Sequence, residues 1–343
     1  MSSIAAVWGR WNVWLLSVAG GAVLGCIYRL LIDFKFENNN VSSPAWIMTI
    51  AFLVFVPFAM GYLSVNRYLR ATPPEKIAWF EWFFLPWASV LLTMIVSVLV
   101  KWEGSICLIF AGPIMMAFSL LGGVAARIFW GRLKSRAPGA LSAFALPLVL
   151  LVVEAHIPSP YEIRTVNTEI LIHAPASAVW DNVKSVRTIQ QAELPPSWVG
   201  RVGFPRPVAA TLSHERVGGV RQASFTGGLV FTETVNRWDP EHDLRFSIHA
   251  NTESIPPSTL DEHVTVGGAF FDVFDGEYRL EPRPDGILLH LSSRERLTTH
   301  FNFYAGAWTD AVMRAIQRQI LVVVRRRCEA GTAGHPAALR QLP

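Results

Sequence analysis

Residues 165–183 read TVNTEILIHAPASAVWDNV, and the hydrophobic period changes within this stretch. Up to His173 the apolar residues Val166, Ile170 and Ile172 fall on one face of an extended chain, because alternate side chains of a strand share a face. Ala174-Pro175 then opens a helix, with proline at the first turn, where its missing N–H would have no partner anyway. Val179, Trp180, Val183 and Val186 follow at helical spacing. A strand running into a short amphipathic helix is therefore expected here, and it divides the chain. Before it the sequence is apolar over long runs; after it short alternating segments dominate.

On the C-terminal side, residues 192–209 hold four prolines and little periodicity, which predicts a loop or broken helix. Strands are expected at Val208–His214, Val220–Phe225, Leu229–Trp238, Leu244–Ala250, Ala269–Phe274, Gly276–Glu281 and Gly286–Arg294. Gly218-Gly219, Gly227-Gly228 and Asp285-Gly286 punctuate them as turns. A long helix, Ala307–Glu329, closes the pattern, with an apolar stripe of Trp308, Ala311, Val312, Ala315, Ile316, Ile320 and Val323. Arg325, Arg326 and Arg327 near its end are expected to complement the helix dipole rather than to hold lipid headgroups. Residues 331–343 read as a tail. One amphipathic helix must then cover a bent antiparallel sheet. The gap between them is expected to be a mostly apolar pocket, the usual form of a small-molecule site.

Several short motifs recur in a fixed order: Ala174-Pro175-x-x-x-Val179-Trp180, Gly219-Val220-Arg221, Phe225-Thr226-Gly227-Gly228 with Glu233, Trp238-Asp239-Pro240 with Leu244-x-Phe246, and Tyr304-x-x-x-Trp308 leading into Ile316-Gln317-x-x-Ile320 and Arg325-Arg326-Arg327. In this order residues 163–329 resemble the SRPBCC superfamily, the helix-grip fold of START domains, birch-pollen-allergen-like proteins and polyketide cyclase/dehydrase-like proteins. The resemblance implies an α+β domain with a cavity for a hydrophobic ligand. It covers half of the chain, and it carries over no catalytic set.

The residues that could serve such a cavity are read from strand alternation. Glu233 shares a face with Phe231 and Val235, and Asp272 with Phe270 and Phe274. On a cavity face either carboxylate would be desolvated and could act as a general acid or base. On the other face, or paired with Arg221 or Arg279, it would be structural. Arg221 shares its face with Ala223 and Phe225 and could instead orient an anionic headgroup. Arg221, Phe225, Phe231 and Phe246 on the sheet, with Trp308, Val312, Ile316 and Ile320 on the helix, are the expected ligand-binding residues. No GxSxG elbow, HExxH helix, P-loop or dinucleotide glycine fingerprint occurs. His214-Glu215 has no second metal ligand one turn on, and His249, His263, His290 and His300 lack metal-ligand spacing. No metal and no cofactor is expected.

The N-terminal side explains the composition: 51% of the 343 residues are apolar and only 16% charged, against about 25% in an ordinary soluble domain. Residues 11–32, 44–65, 79–100 and 106–130 each supply about the 20 apolar residues that a helical membrane span needs. Nine of the 13 tryptophans lie in residues 1–130, and Trp8, Trp11, Trp46, Trp79, Trp82, Trp102 and Trp130 sit at span ends, where indoles favour the headgroup level. Gly21-x-x-x-Gly25 and Ser119-x-x-x-Gly123 would allow helices to approach closely. A fifth run, 140–157, includes Pro147, Glu154 and His156 and is short for a span. It could cross, or lie re-entrant or at the interface; five helices are favoured. Glu81 is within reach of the interface.

Arg10, Arg67, Arg70, Lys76, Arg127, Arg132, Lys134 and Arg136 flank alternate connections, while the opposite ones hold Arg29, Lys35 and Lys101. The positive-inside rule places the first group in the cytoplasm, and with five spans the C-terminal domain lies outside. If the fifth run does not cross, that domain stays inside. The basic balance belongs to residues 1–153, with net charge +6 against −2 for the rest, so it marks membrane flanks and not a nucleic-acid surface. Three cysteines exclude a disulfide framework. Cys26 loosely fits a lipoprotein box, but the apolar run continues past it to Ile32. The excess of Arg over Lys, 25 to 5, points to a GC-rich, bacterial genome.

The sequence thus describes a membrane domain over 1–157, a ligand-binding domain over 161–330 and a tail. The leading functional reading is a membrane-anchored module that binds or carries a lipid or other hydrophobic small molecule. Two others stay open: a cyclase/dehydratase-type enzyme using cavity carboxylates, and a structural or sensory membrane protein whose soluble domain binds a protein partner. Whether any reaction is catalysed, and which ligand or protein partner is bound, is not legible.

Overall fold

The computed structural model describes residues 2–37, 49–72, 74–133, 138–154, 156–251 and 266–333. These form two compact units. The first runs to Pro160 and takes in Thr299–Phe301; the second comprises Tyr161–Thr298 and the chain from Asn302 onward.

The first unit is helical: α1 (Ser2–Glu37), α2 (Val56–Ala71, preceded by a π-helical turn Ala51–Phe55), α3 (Glu81–Leu99), α4 (Ser105–Leu133) and α5 (Pro138–Glu154). Four stretches, Arg10–Leu31, Ala51–Ala71, Glu81–Leu99 and Ile106–Trp130, are long and apolar enough to cross a membrane. The second continues past residue 65, where the sequence reading ended the span. Its apolar helix runs to Ala71, so Arg67 and Arg70 belong to its last turns, while residues 44–48, with Trp46, are outside the described residues. Lys134 and Arg136 are outside them too. α5 has 17 residues, about 25 Å of helix. Its Glu154 does not face an apolar surround unpaired: the carboxylate accepts from the backbone N–H of Ile50 (2.7 Å) and Ala51 (2.8 Å).

Small residues let these helices touch backbone to backbone. A methyl group on Gly61 would stand 1.9 Å from the Ser119 carbonyl oxygen, and one on Gly122 1.9 Å from that of Phe58. The charges inside are neutralised in place. Glu81 does not reach outward; it is buried, salt-bridged to Arg10 (2.6 Å) and accepts from the Tyr68 hydroxyl (3.0 Å). Arg29 is likewise buried, with its Nε 2.7 Å from Glu103, and so is not a loop charge.

The second unit is a seven-stranded antiparallel sheet: β1 (Tyr161–Ile172), β2 (Pro207–Leu212), β3 (Val220–Phe225), β4 (Val230–Asp239), β5 (Asp243–Asn251), β6 (Phe271–Arg283) and β7 (Gly286–Thr298), in the order β1-β7-β6-β5-β4-β3-β2. The first strand pairs with the last, and the two helices α6 (Ala176–Lys184) and α7 (Trp198–Val202) fill the connection from β1 to β2. The curled sheet grips α8 (Asn302–Ala333). This is the helix-grip arrangement.

Two strand assignments change. Residues 269–274 and 276–281 are one strand, because Asp275-Gly276 is not a turn but follows a bulge between Val273 and Asp275. Gly276 is needed for another reason: a Cβ there would stand 2.7 Å from the Phe246 ring. β7 also continues past Arg294 to Thr298.

The main core joins Ile172, Val179, Trp180, Val183, Val235, Leu244, Phe246, Tyr278, Leu280, Leu289 and Leu291 to Leu321, Val324 and Cys328 of α8. On α8, Leu321, Val324 and Cys328 join this core with Ile320 of the expected stripe packed against it, Val312 and Val323 of that stripe are buried, and the polar Asp310 and Gln317 reach β1. The arginine run lies too far from the helix end, Ala333, for the dipole to be its main partner. Arg326 and Arg327 instead tie down the loop after α6, donating to Glu193, to the Arg187 and Thr188 carbonyls, and to the Glu193 carbonyl. Of the expected tail, residues 334–343 are outside the described residues.

Candidate functional site

The concave face of the sheet carries apolar residues along most of its length, and one row of it is polar. Register places Arg221 of β3 opposite Glu233 of β4, Glu233 opposite Ile248 of β5, Val273 of β6 opposite Glu295 of β7, and Glu295 opposite Arg164 of β1. Two arginine–glutamate cross-strand couples thus stand on this face, with Ile248 beside the first, Val273 beside the second, and the β6 bulge between Val273 and Asp275 lying between them. Three strand spacings part the two carboxylates, about 14 Å along the sheet.

At the first couple, Arg221 and Glu233 are both buried and ion-paired. The guanidinium carbon lies 5.6 Å from the ring centre of Phe246 and 5.9 Å from that of Tyr278, and Nη2 reaches the Val183 carbonyl at 3.4 Å. Its Nε has no partner. Burial pushes the Glu233 carboxyl up from its ordinary range, and the Arg221 charge opposes this. The same burial pushes the Tyr278 phenol up, so it stays a neutral hydroxyl. The pairing with Arg221, one of the two roles left open in the sequence, is the one the structure displays.

At the second couple, Glu295 is fully buried (0% exposed), and neither carboxylate oxygen has a hydrogen-bond partner. Its cross-strand neighbour Arg164 is turned away to α8, holding Asp310 in a two-pronged contact (2.9 and 3.0 Å) and Glu162 at 2.5 Å. Burial, with the Asp310 charge adding to it, pushes the Glu295 carboxyl up to about 8 against the pull of Arg164 and Arg314. Next along β7, Ser293 accepts from Gln317 of α8 (2.9 Å), which also donates to the Val166 carbonyl (3.0 Å) and accepts from Thr168 (2.7 Å). Gln319, also buried, has an Nε2 without partner.

The remaining expected residues are placed as follows. Phe225 and Phe231 stack edge to face at 5.3 Å, in a small cluster with Val186, Ala210 and Ala223. Phe246 lies in the main core. Val312 is buried; Trp308, Ile316 and Ile320 are half-buried, with Trp308 edge-on to Tyr304 at 6.4 Å. Asp272 pairs in register with Arg296, one residue out of phase with Glu295, and so lies on the opposite face of the sheet. Glu295, Tyr278 and Gln319 were not singled out by sequence, and Gln317 only within the motif Ile316-Gln317-x-x-Ile320. A strand extended past Arg294 at period two would have carried Glu295 onto the face of Leu289 and Leu291. Among the described residues no group of three His, Cys, Asp or Glu could hold a metal ion.

The described residues of 161–333 have the helix-grip architecture that the sequence resemblance implies. No protein-family model and no curated protein sequence matches the chain. Among solved structures it is similar to DynU16 of the dynemicin biosynthetic locus (16% identity, 49% of this chain and 48% of that one, TM-score 0.30). It is also similar to the di-domain ARO/CYC BexL of the BE-7585A biosynthetic pathway (15%, 61% of each chain, TM-score 0.30). A third is the AHSA1-like protein from Aeromonas hydrophila (16%, 50% of this chain and 96% of that one, TM-score 0.29). The chain spans about half the length of DynU16 and 61% of BexL.

Proposed function

We propose that this is a membrane-anchored protein whose domain 161–330 binds a lipid or other hydrophobic small molecule between the concave sheet and α8. The observation that carries this reading is the polar row set into an apolar surround: Arg221 Nε and both oxygens of Glu295 are buried with hydrogen-bonding capacity unused. A buried polar group without a partner costs about 1–3 kcal/mol, so a chain that keeps several on one face gains from a bound group that answers them. The four long apolar helices would hold the domain beside lipid. Binding is favoured over acid–base catalysis because Glu233 is occupied by Arg221 while Glu295 stands about 14 Å along the sheet, too far for the two carboxyls to work on one atom.

Filling the row tests the reading. Ile248 is half-buried between the two couples. In Ile248→Trp, an apolar molecule seen by native mass spectrometry on the wild-type full chain should be lost while the fold persists. Unfolding would show a filled core, since overpacking costs about 1–3 kcal/mol. A wild-type chain that never carries such a molecule would also count against binding. For location, the charge asymmetry supports an extracytoplasmic domain. A reporter active only in the cytoplasm, fused after Glu154, should be silent, and clear activity there would reverse the side.

A further inference from the structure

Glu295 is the one carboxylate of the polar row without a cation of its own. All three guanidinium nitrogens of Arg164 are engaged, two by Asp310 and one by Glu162. Gly306 lies against them: a methyl group on it would stand 2.7 Å from Arg164 Nη1 and would have to displace the guanidinium. Asp310 is shared further with Arg314 at 3.2 Å. The groups facing Glu295 are therefore Arg164 from β1, Val273 from β6, and Asp310 and Arg314 from α8, while Arg294 and Arg296 of its own strand point to the other face.

This surround selects among ligand head groups. An anionic head would enter a buried site whose nearest cation already holds two carboxylates. A cationic amine would need an ionised Glu295 and would meet the fields of Arg164 and Arg314. A neutral carbonyl meets neither obstacle, because a protonated carboxyl has one O–H to donate and no charge to compensate. Resting on the ligand-binding reading above, we propose that Glu295 is the recognition group of the site and donates its proton in a hydrogen bond to the carbonyl oxygen of an uncharged, apolar ligand. No bond is made or broken; the carboxyl stays neutral in the complex. Burial and the Asp310 carboxylate keep it so, its proton leaving only at a pH of about 8.

The test uses the full chain in nanodiscs and two probes: the fluorescent aryl ketone prodan and its analogue in which a methylene replaces the carbonyl. Wild-type protein should bind both above the level of empty nanodiscs and prefer the ketone about tenfold, the worth of one hydrogen bond. Above a pH of about 8 that preference should decay towards unity over about one pH unit. Glu295→Leu should bind both probes equally. Glu295→Gln, whose amide N–H still donates, should keep most of the preference and lose its pH dependence. If Glu295→Leu retains the ketone preference, or Glu295→Gln retains the pH dependence, the assignment of Glu295 is overturned while the ligand site stands. A preference for dodecylamine over prodan overturns it as well. Binding of neither probe to wild type removes the ligand-binding reading itself.

Discussion

The two ends of the polar row place the same side-chain type in the same register and give it opposite environments. Glu233 has a buried arginine beside it, and Phe246 and Tyr278 wall that arginine in. Glu295 has an arginine opposite it that is directed elsewhere. At the first end burial raises the carboxyl and a paired arginine opposes it; at the second burial raises the carboxyl to about 8 with no paired cation. The comparison teaches that burial alone does not fix what a carboxylate does: the partner taken by the neighbouring guanidinium does. A paired end can hold the fold, and an unpaired neutral end is free to address a ligand.

The largest expected effect comes from breaking the paired end. Arg221→Leu leaves Glu233 buried without its cation, and loss of one member of such a pair costs about 3–5 kcal/mol. Urea unfolding of the full chain, followed in the transition of the sheet domain, should show this drop. Arg221→Leu/Glu233→Leu should recover most of it, because the pair itself contributes little net of desolvation. If the double variant is as unstable as the single one, the pair is not what organises this end.

The unpaired end should behave oppositely. The folded-state pKa of Glu295 is raised to about 8, so its contribution to stability is full at acid pH and is lost as the pH climbs towards 8. Glutamine does not titrate. Glu295→Gln should therefore match wild type near pH 4 and exceed it by about 3 kcal/mol at pH 7, taking an unfolded carboxyl near 4.3. A constant difference between the two proteins across that window would show that Glu295 is ionised when folded, and the contrast between the two ends would vanish.

How much of this was legible depends on how strongly each residue's neighbours constrain it. The period change in residues 165–183, the helix at Ala174-Pro175 and most strand positions follow from alternation and turn glycines, and the structure has them. Glu233 was legible because Phe231 and Val235 flank it at period two. Glu295 was not, because it lies in Ser292-Ser293-Arg294-Glu295-Arg296, which reads as a polar strand end. It is buried only once β7 stands between β1 and β6 with α8 over that face. Which face Asp272 takes was left open, because the bulge after Val273 shifts the phase of the strand and is silent in the sequence. Gln317 and Asp310 of α8 were hidden for the same reason as the glutamate: partners across the chain satisfy them, and no local pattern records those partners.

A milder perturbation separates the ends without removing a charge. Gly276 lies next to the row, and a methyl group there would stand 2.7 Å from the Phe246 ring. Gly276→Ala must move that ring, which is 5.6 Å from the Arg221 guanidinium, so it should destabilise by about 1–3 kcal/mol. The carboxyl band of Glu295 in the infrared should titrate as before. A change there would mean that the two ends are coupled through the core and do not act independently.

The smallest expected effect tunes the unpaired end from outside it. Asp310 acts on Glu295 in two ways that add. Its negative charge favours the neutral form of Glu295, and its two hydrogen bonds hold Arg164 away. Asp310→Asn removes the charge and loosens the guanidinium, leaving it opposite Glu295 in the strand register. Both changes favour ionisation, so the Glu295 titration should move below about 8. Arg164→Met removes a charge that pulls the other way, and the titration should move up. The infrared carboxyl band, followed against pH in each variant, reads both shifts. If they share a sign, Arg164 and Asp310 act on Glu295 by altering the fold at that end and not by their charges, and the partner of Arg164 would no longer explain why the two glutamates differ.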